Sequence, residues 1–205
     1  MLTLILAEAS LELVNGEVLD VSRHYGLIKR LPNPEKRGRP DIVHLFLITA
    51  IGSPLNSAGM LRVLIHTLND EVIRISPAER PPQNYNNFIG LVRQLMMRGR
   101  VPPQGQPLLQ VGRGTIRDAI TISGASRVIL LDDARGVPVK GVDLARRLLS
   151  LGNVAVIIGG FPHGSFSEST YASAHEVYRI GERPMRTHEV TCRLLAALES
   201  KLGYY

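Results

Sequence analysis

The stretch VAVIIGGFPHGSF, Val154 to Phe166, constrains the fold more than any other part of the chain. It opens with five consecutive apolar residues, four of them Val or Ile. A strand without polar alternation must be buried on both faces, as happens in parallel sheets covered by helices on each side. The run ends in Gly159 and Gly160, then Phe161, Pro162, His163 and Gly164, a turn that gives up packing for backbone freedom.

The flanking pattern agrees with such a sheet. MLTLILAEAS reads as a first strand; Glu8 and Glu12 interrupt the apolar run and no basic leader or cleavage site follows, so no signal peptide is expected. In RPDIVHLFLITAI, Pro40 suits a first helical turn and Asp41 complements the positive end of the helix dipole, predicting an apolar helix that stops near Gly52–Ser53–Pro54. LRVLIHT and EVIRIS, joined by LND, read as a hairpin. SPAERPPQNYNN reads as an exposed loop before a helix whose Phe88, Leu91, Val92, Leu95 and Met96 face the core. VPPQGQPLLQVGRG reads as an open segment. RVILLDD, GVDLARRLLSLG, the VAVII run, EVYRIGE and THEVTCRLLAALESKLG then alternate strand and helix, with Gly203 ending the last helix. These elements predict an α/β fold, a largely parallel sheet with helices on both faces, in one domain over 1–205. A basic, irregular excursion is expected at about 15–39 and a hairpin and loop insertion at about 60–84.

Charge distribution says more than the net +6. Ser22 to Arg39 carries six Lys or Arg against Glu35 alone, and Arg74 to Arg117 carries seven arginines against Glu79 alone. A solvated basic face accounts for either run singly. Two Arg-rich segments beside turn chemistry point to RNA, because arginine forks onto phosphates and stacks on bases. The lone Cys192 excludes an intramolecular disulfide and fits a reducing, cytoplasmic setting. No apolar run approaches the roughly 18 residues of a membrane span.

Metal chemistry finds no support: His163, His175 and His188 lack ligand spacing and there is no cysteine pair, while His44 and His66 read as core histidines. Ser165 does not sit in a G-x-S-x-G elbow, so a serine hydrolase is not supported. GGFPHG is not a dinucleotide fingerprint either, since no helix opens on its glycines. It remains either a plain strand-end turn or half of a ligand pocket, with RIGERPMRT and its Gly181 and Pro184 as the other half. Two such loops at strand ends suit a flat adenosine-like ligand held by main-chain groups.

The motifs GRPDIVH, SPLN..G.LRVLIHT, E.RPP.NY..F.GL and VIIGGFPHG, in this order, resemble the archaeal and eukaryotic family of small-subunit rRNA pseudouridine N1-methyltransferases, of the SPOUT superfamily. The resemblance covers the chain from about Leu2 onward, and its order and spacing make it specific. It implies a C-terminal trefoil knot over about 126–205, S-adenosylmethionine as cofactor, a homodimer, and a loop of small-subunit rRNA as partner, without metal or membrane. By position it implies cofactor contacts at Gly159, Gly164, Ile180, Gly181, Glu182, Arg183, Pro184 and Met185, with a third loop contributing near Ala134. It places RNA contacts at Arg39, with Asp41 holding its guanidinium, and at Arg80, Gln83 and Asn87. The last two stand where relatives often carry arginine, so their phosphate contacts lose charge or move to Arg93, Arg98 or Arg100. Gly52 stands where many eukaryotic relatives carry Asp, so catalysis here should not need that carboxylate. No general base is named, a bound water or a backbone-stabilised anion being able to serve, and His163 is expected not to be catalytic. An rRNA-binding assembly factor with a vestigial cofactor site, and a tRNA-directed SPOUT enzyme, remain as alternatives.

Overall fold

The computed structural model describes residues 1–204. In chain order the elements are β1 (Leu2–Ala9), β2 (Leu13–Val14), β3 (Glu17–Val18), α1 (Val21–Ile28), a 3-10 turn (Pro34–Lys36), α2 (Pro40–Ile51), α3 (Pro54–Ser57), β4 (Leu61–Thr67) and β5 (Glu71–Ile75). Then come α4 (Tyr85–Arg98), β6 (Arg100–Val101), β7 (Leu109–Arg113), α5 (Ile116–Ser123), β8 (Arg127–Leu131), β9 (Val137–Val139), α6 (Gly141–Ser150), β10 (Val154–Gly159), α7 (Glu168–Tyr171), β11 (Glu176–Ile180) and α8 (Thr187–Leu202).

Nine strands form one sheet in the order β6-β7-β5-β4-β1-β10-β8-β11-β9. From β4 to β9 every pairing is parallel, whereas β5, β7 and β6 extend that sheet antiparallel at one edge. β10 lies in the interior of the sheet, between β1 and β8. Its side chains divide as a two-residue period requires. Val154, Val156 and Ile158 enter the core shared with α2, α4, α6 and α8, whereas Ala155 and Ile157 enter the opposite core with Ile116 and Ala119 of α5. β1 divides the same way, with Leu4 and Leu6 on one side and Ile5 and Ala7 on the other. All of these are at most 3% exposed, and each large one contributes about 1.5–3 kcal/mol by leaving water.

The hairpin at Leu61–Ile75 is part of the main sheet, because β4 pairs with β1 from Leu2↔Leu61 onward. The excursion at 15–39 contains more order than its composition suggests. Asn15 and Gly16, both at positive φ, close the β2–β3 hairpin, and Asp20 starts α1 by accepting from Ser22 N at 2.9 Å. The segment read as open holds β6 and β7, since β7 satisfies its backbone against β5 from Glu71↔Arg113 to Ile75↔Leu109. α5 and β9 also lie where no element was expected. α5 is rich in β-branched residues, which weakens its local helix signal; Thr115 and Asp118 form a capping box at its start and Gly124 closes it.

Candidate functional site

A cleft of about 840 Å³ opens beyond the carboxyl ends of β8, β10 and β11, the place where open α/β sheets bind ligands. Three loops and the starts of α2 and α8 enclose it. The turn after β10 contributes Gly159, Phe161, Pro162, His163, Gly164 and Phe166; the loop after β11 contributes Arg183, Pro184 and Met185, following Ile180. Leu131, Ile158, Ile180 and Met185 supply apolar wall.

Backbone shape in these loops has identifiable causes. Gly164 has φ +99° and Gly181 φ +82°, conformations a side chain rarely adopts. Gly159 is needed for space: a Cβ there would stand 3.3 Å from both the Phe161 and Phe166 rings, which meet edge-on at 5.1 Å. Thr187 Oγ1 donates to Gly159 O at 2.7 Å, tying the start of α8 to the end of β10 and so joining the two ligand loops. Gly160, just behind, exchanges hydrogen bonds with the end of β1: its N donates to Ala7 O at 2.8 Å and its O accepts from Ser10 N at 2.9 Å.

Of the residues expected to touch a cofactor, Gly159, Gly164, Ile180, Arg183, Pro184 and Met185 line the cleft. Gly181 and Glu182 belong to the same loop but do not line it. Neither does Ala134: it is exposed, and Leu131, Asp132 and Asp133 of the same loop line the cleft instead. The reason lies in the backbone. Asp132 N donates to Tyr178 O at 2.9 Å and Gly136 N to Asp132 O at 3.1 Å, folding the loop back on itself.

Arg39 and Asp41 line this same cleft, at the start of α2. The guanidinium donates to both Asp41 oxygens at 2.8 and 2.7 Å, a bidentate pair that raises the Arg39 pKa further; Arg39 N donates to Ser10 Oγ at 2.8 Å. Arg80, Gln83 and Asn87 do not line the cleft. Arg80 is exposed and donates to Pro77 O and Glu79 O at 3.1 and 2.7 Å, while Gln83 and the helical Asn87 face solvent. Their loop is tied to α2 through His44 Nε2 and Pro82 O at 2.6 Å, and His44 stacks on Phe88 at 4.4 Å. Tyr85 OH donates to Asp20 at 2.5 Å; burial and then that carboxylate push the tyrosine pKa up. His66 bonds Asp70 at 3.0 Å, so both of these buried histidines have hydrogen-bond partners.

The cleft's carboxylates are mostly committed. Asp41 is held by Arg39, Glu189 accepts from Arg186 N at 2.7 Å, and Asp132 accepts from Tyr171 OH and Arg135 N, both at 2.9 Å. Burial first, then Asp132, pushes the Tyr171 pKa up to about 12. Among the described residues, no group of three or more His, Cys, Asp or Glu is placed to hold a metal, and no helix is long and apolar enough to cross a membrane.

Beneath the turn lies a feature that local pattern did not signal. Glu8, buried at the end of β1, accepts from Lys36 Nζ at 2.6 Å, from Ser167 N at 2.8 Å and from Thr170 Oγ1 at 2.8 Å.

A profile described as EMG1/NEP1 methyltransferase matches residues 4–199. The "Ribosomal RNA small subunit methyltransferase Nep1" of Pyrobaculum arsenaticum is 39% identical over 98% of this chain and 98% of that protein. A crystal structure of Archaeoglobus fulgidus Nep1 bound to S-adenosylhomocysteine superimposes with a TM-score of 0.84 at 32% identity, covering 98% of each chain. TrmJ from Z. mobilis ZM4 superimposes with a TM-score of 0.50 at 10% identity, over 98% of this chain and 69% of that one, which speaks to fold alone.

Proposed function

The chain belongs to the EMG1/NEP1 methyltransferase family, and from that premise we propose that it methylates small-subunit ribosomal RNA from S-adenosylmethionine, with N1 of a pseudouridine as the acceptor. The observation that carries the reading is the cleft itself. Glycine-shaped ligand loops and the charged Arg39–Asp41 pair converge there on one opening.

The cleft suits the cofactor. Leu131, Ile180 and Met185 offer apolar surface to a flat base, and the bare backbone at Gly159 leaves room that a Cβ would take up against two aromatic rings. S-adenosylmethionine supplies a methyl group on a positively charged sulfur, with a neutral thioether as leaving group. The protein's task is alignment, which supplies up to roughly 7–11 kcal/mol in favourable cases. Thr187 holds the two ligand loops at fixed separation, and Phe161 and Phe166 pack the turn from inside. Arg39, kept in one orientation by Asp41, receives RNA phosphate at the mouth, and Arg80, Gln83 and Asn87 extend that contact along the loop beside α2. The target base leaves a single-stranded loop to enter the cleft.

Pseudouridine N1 must lose a proton, whereas uridine carries its sugar at the equivalent nitrogen. Asp41, Asp132 and Glu189 already have partners, and this reading assigns no general base: a bound water or a backbone-stabilised anion serves, and His163 has no catalytic part. The same reading carries a homodimer, a knotted path for about 126–205 and a cytoplasmic location.

Matched small-subunit rRNA fragments containing uridine or pseudouridine, offered with methyl-labelled cofactor, test the acceptor. Label should enter only the pseudouridine RNA; equal labelling would refute N1 as the acceptor. Cofactor binding without transfer to either would indicate an assembly factor, and preferential labelling of tRNA would move the substrate.

A further inference from the structure

We propose that Glu8 and Lys36 are positioning residues, a buried clasp that fixes the Phe161–Ser167 turn for cofactor and sets its place relative to Arg39. The inference rests on the cofactor reading above. The clasp grips both ends of the turn. Lys36 Nζ lies 4.5 Å from the centroid of the Phe161 ring, and its stem passes Gly164, where a Cβ would stand 3.4 Å from Lys36 Cε. Glu8 takes the other end through Ser167 N and Thr170 Oγ1.

Two features separate this from a buried pair that serves stability alone. Glu8 sits at φ +52°, a left-handed conformation unusual for a residue with a side chain, where the β1–β4 register slips between Leu6 and Ala9. That kink lies one residue before the strand ends at Ala9, and the carboxylate it carries bonds the far end of the turn. Moreover, the bonds lead to the turn rather than into the sheet. Lys36 closes the 3-10 turn of the basic excursion, three residues before Arg39, so one side chain links the segment bearing the RNA contact to the segment lining the cofactor cleft. With Glu8 and Lys36 side chains 6% and 11% exposed, solvent weakens the pair little.

Three variants test the inference in the full-length protein. Lys36→Met keeps the stem but removes the cation. It should raise KM for S-adenosylmethionine and lower kcat/KM by about ten- to a hundredfold, the scale of a turn displaced by about 1 Å. Lys36→Arg retains a cation for Glu8 and Phe161 and should bring KM back toward wild type. Glu8→Gln with Lys36→Met leaves no unpaired buried charge, so it should regain thermal stability without regaining cofactor affinity. KM that follows Tm across all three variants, or stays unchanged in Lys36→Met, would overturn the positioning role. Amide hydrogen exchange of the 161–170 segment without ligand provides a reading independent of activity. Exchange should quicken in Lys36→Met, and unchanged protection refutes the clasp. Failure of the wild-type protein to bind cofactor refutes the function instead.

Discussion

Replacing Gly160 by alanine should harm the site more than the same change at its neighbour Gly159. A Cβ on Gly160 would lie 2.7 Å from Ala9 Cα, 2.8 Å from Ala9 Cβ and 2.9 Å from Leu6 Cγ. Carbon atoms pack at about 3.5–4.0 Å, so the ends of β1 and β10 would have to part by roughly 0.8 Å. They resist, because Gly160 is hydrogen-bonded through both its N and its O to that end of β1. Overpacking of this kind costs about 1–3 kcal/mol, and in a chain of this size each kcal/mol lowers Tm by about 2–4 °C. The turn leaves β10 at Gly160, so the displacement reaches Phe161 directly and cofactor affinity should fall about tenfold or more. At Gly159 the three atoms nearest the new Cβ are aromatic ring atoms at 3.3–3.4 Å, and small tilts of Phe161 and Phe166 relieve them. Thermal melts and calorimetric titration with S-adenosylhomocysteine measure both quantities. A Gly160→Ala protein with wild-type Tm and wild-type affinity would refute the tight approach of β1 to the turn.

Arg39→Ala should lower RNA affinity and reduce the slope of log affinity against log salt by about 0.7–0.9, one phosphate contact, while cofactor affinity changes little. Filter binding across a salt series measures it; an unchanged slope would remove Arg39 from the RNA contact. Tyr85→Phe, which removes the 2.5 Å bond to Asp20, should cost about 1.5–3 kcal/mol, the range for a hydrogen bond to a charged group, read by urea denaturation. Glu8 should contribute to acid sensitivity. Burial raises its pKa, but Lys36 and the donors Ser167 and Thr170 outweigh burial and hold it below the ordinary 4.5. Its stabilisation is therefore complete at pH values well above 4.5 and is lost as pH falls below that value. Tm followed through that range should drop less steeply in Glu8→Gln, and an identical profile would show that this pair plays no part in acid unfolding.

Much of the site was legible because its signals are local. Gly159 and Gly164 follow the apolar run of β10 and the Ile180–Met185 loop is marked by its own Gly181 and Pro184, and all but Gly181 and Glu182 reach the cleft. Ala134 does not line the cleft, because its loop folds back on itself: Asp132 donates to Tyr178 O and accepts from Gly136 N, a closure that local pattern does not signal. Other local signals also mark elements of the fold. Asn15–Gly16 between Leu13–Val14 and Glu17–Val18 is a hairpin turn, and Thr115 with Asp118 marks a helix start.

By itself, the sequence determined that the central strands are buried on both faces, and hence a largely parallel sheet with helices on each side. Side chains alternate along a strand, so five apolar residues in a row need two cores. Motif order determined the family. Only the tertiary structure decided the strand order, the joining of β5, β7 and β6 to the parallel sheet, and the meeting of Arg39 with the ligand loops in one cleft. It alone brought together Glu8, Lys36 and Ser167, the first two 28 positions apart and Glu8 and Ser167 159 positions apart. Local pattern reads neighbours within about one helical turn or one strand period. Contacts over such separations form only when the packed chain makes them cheaper than solvation.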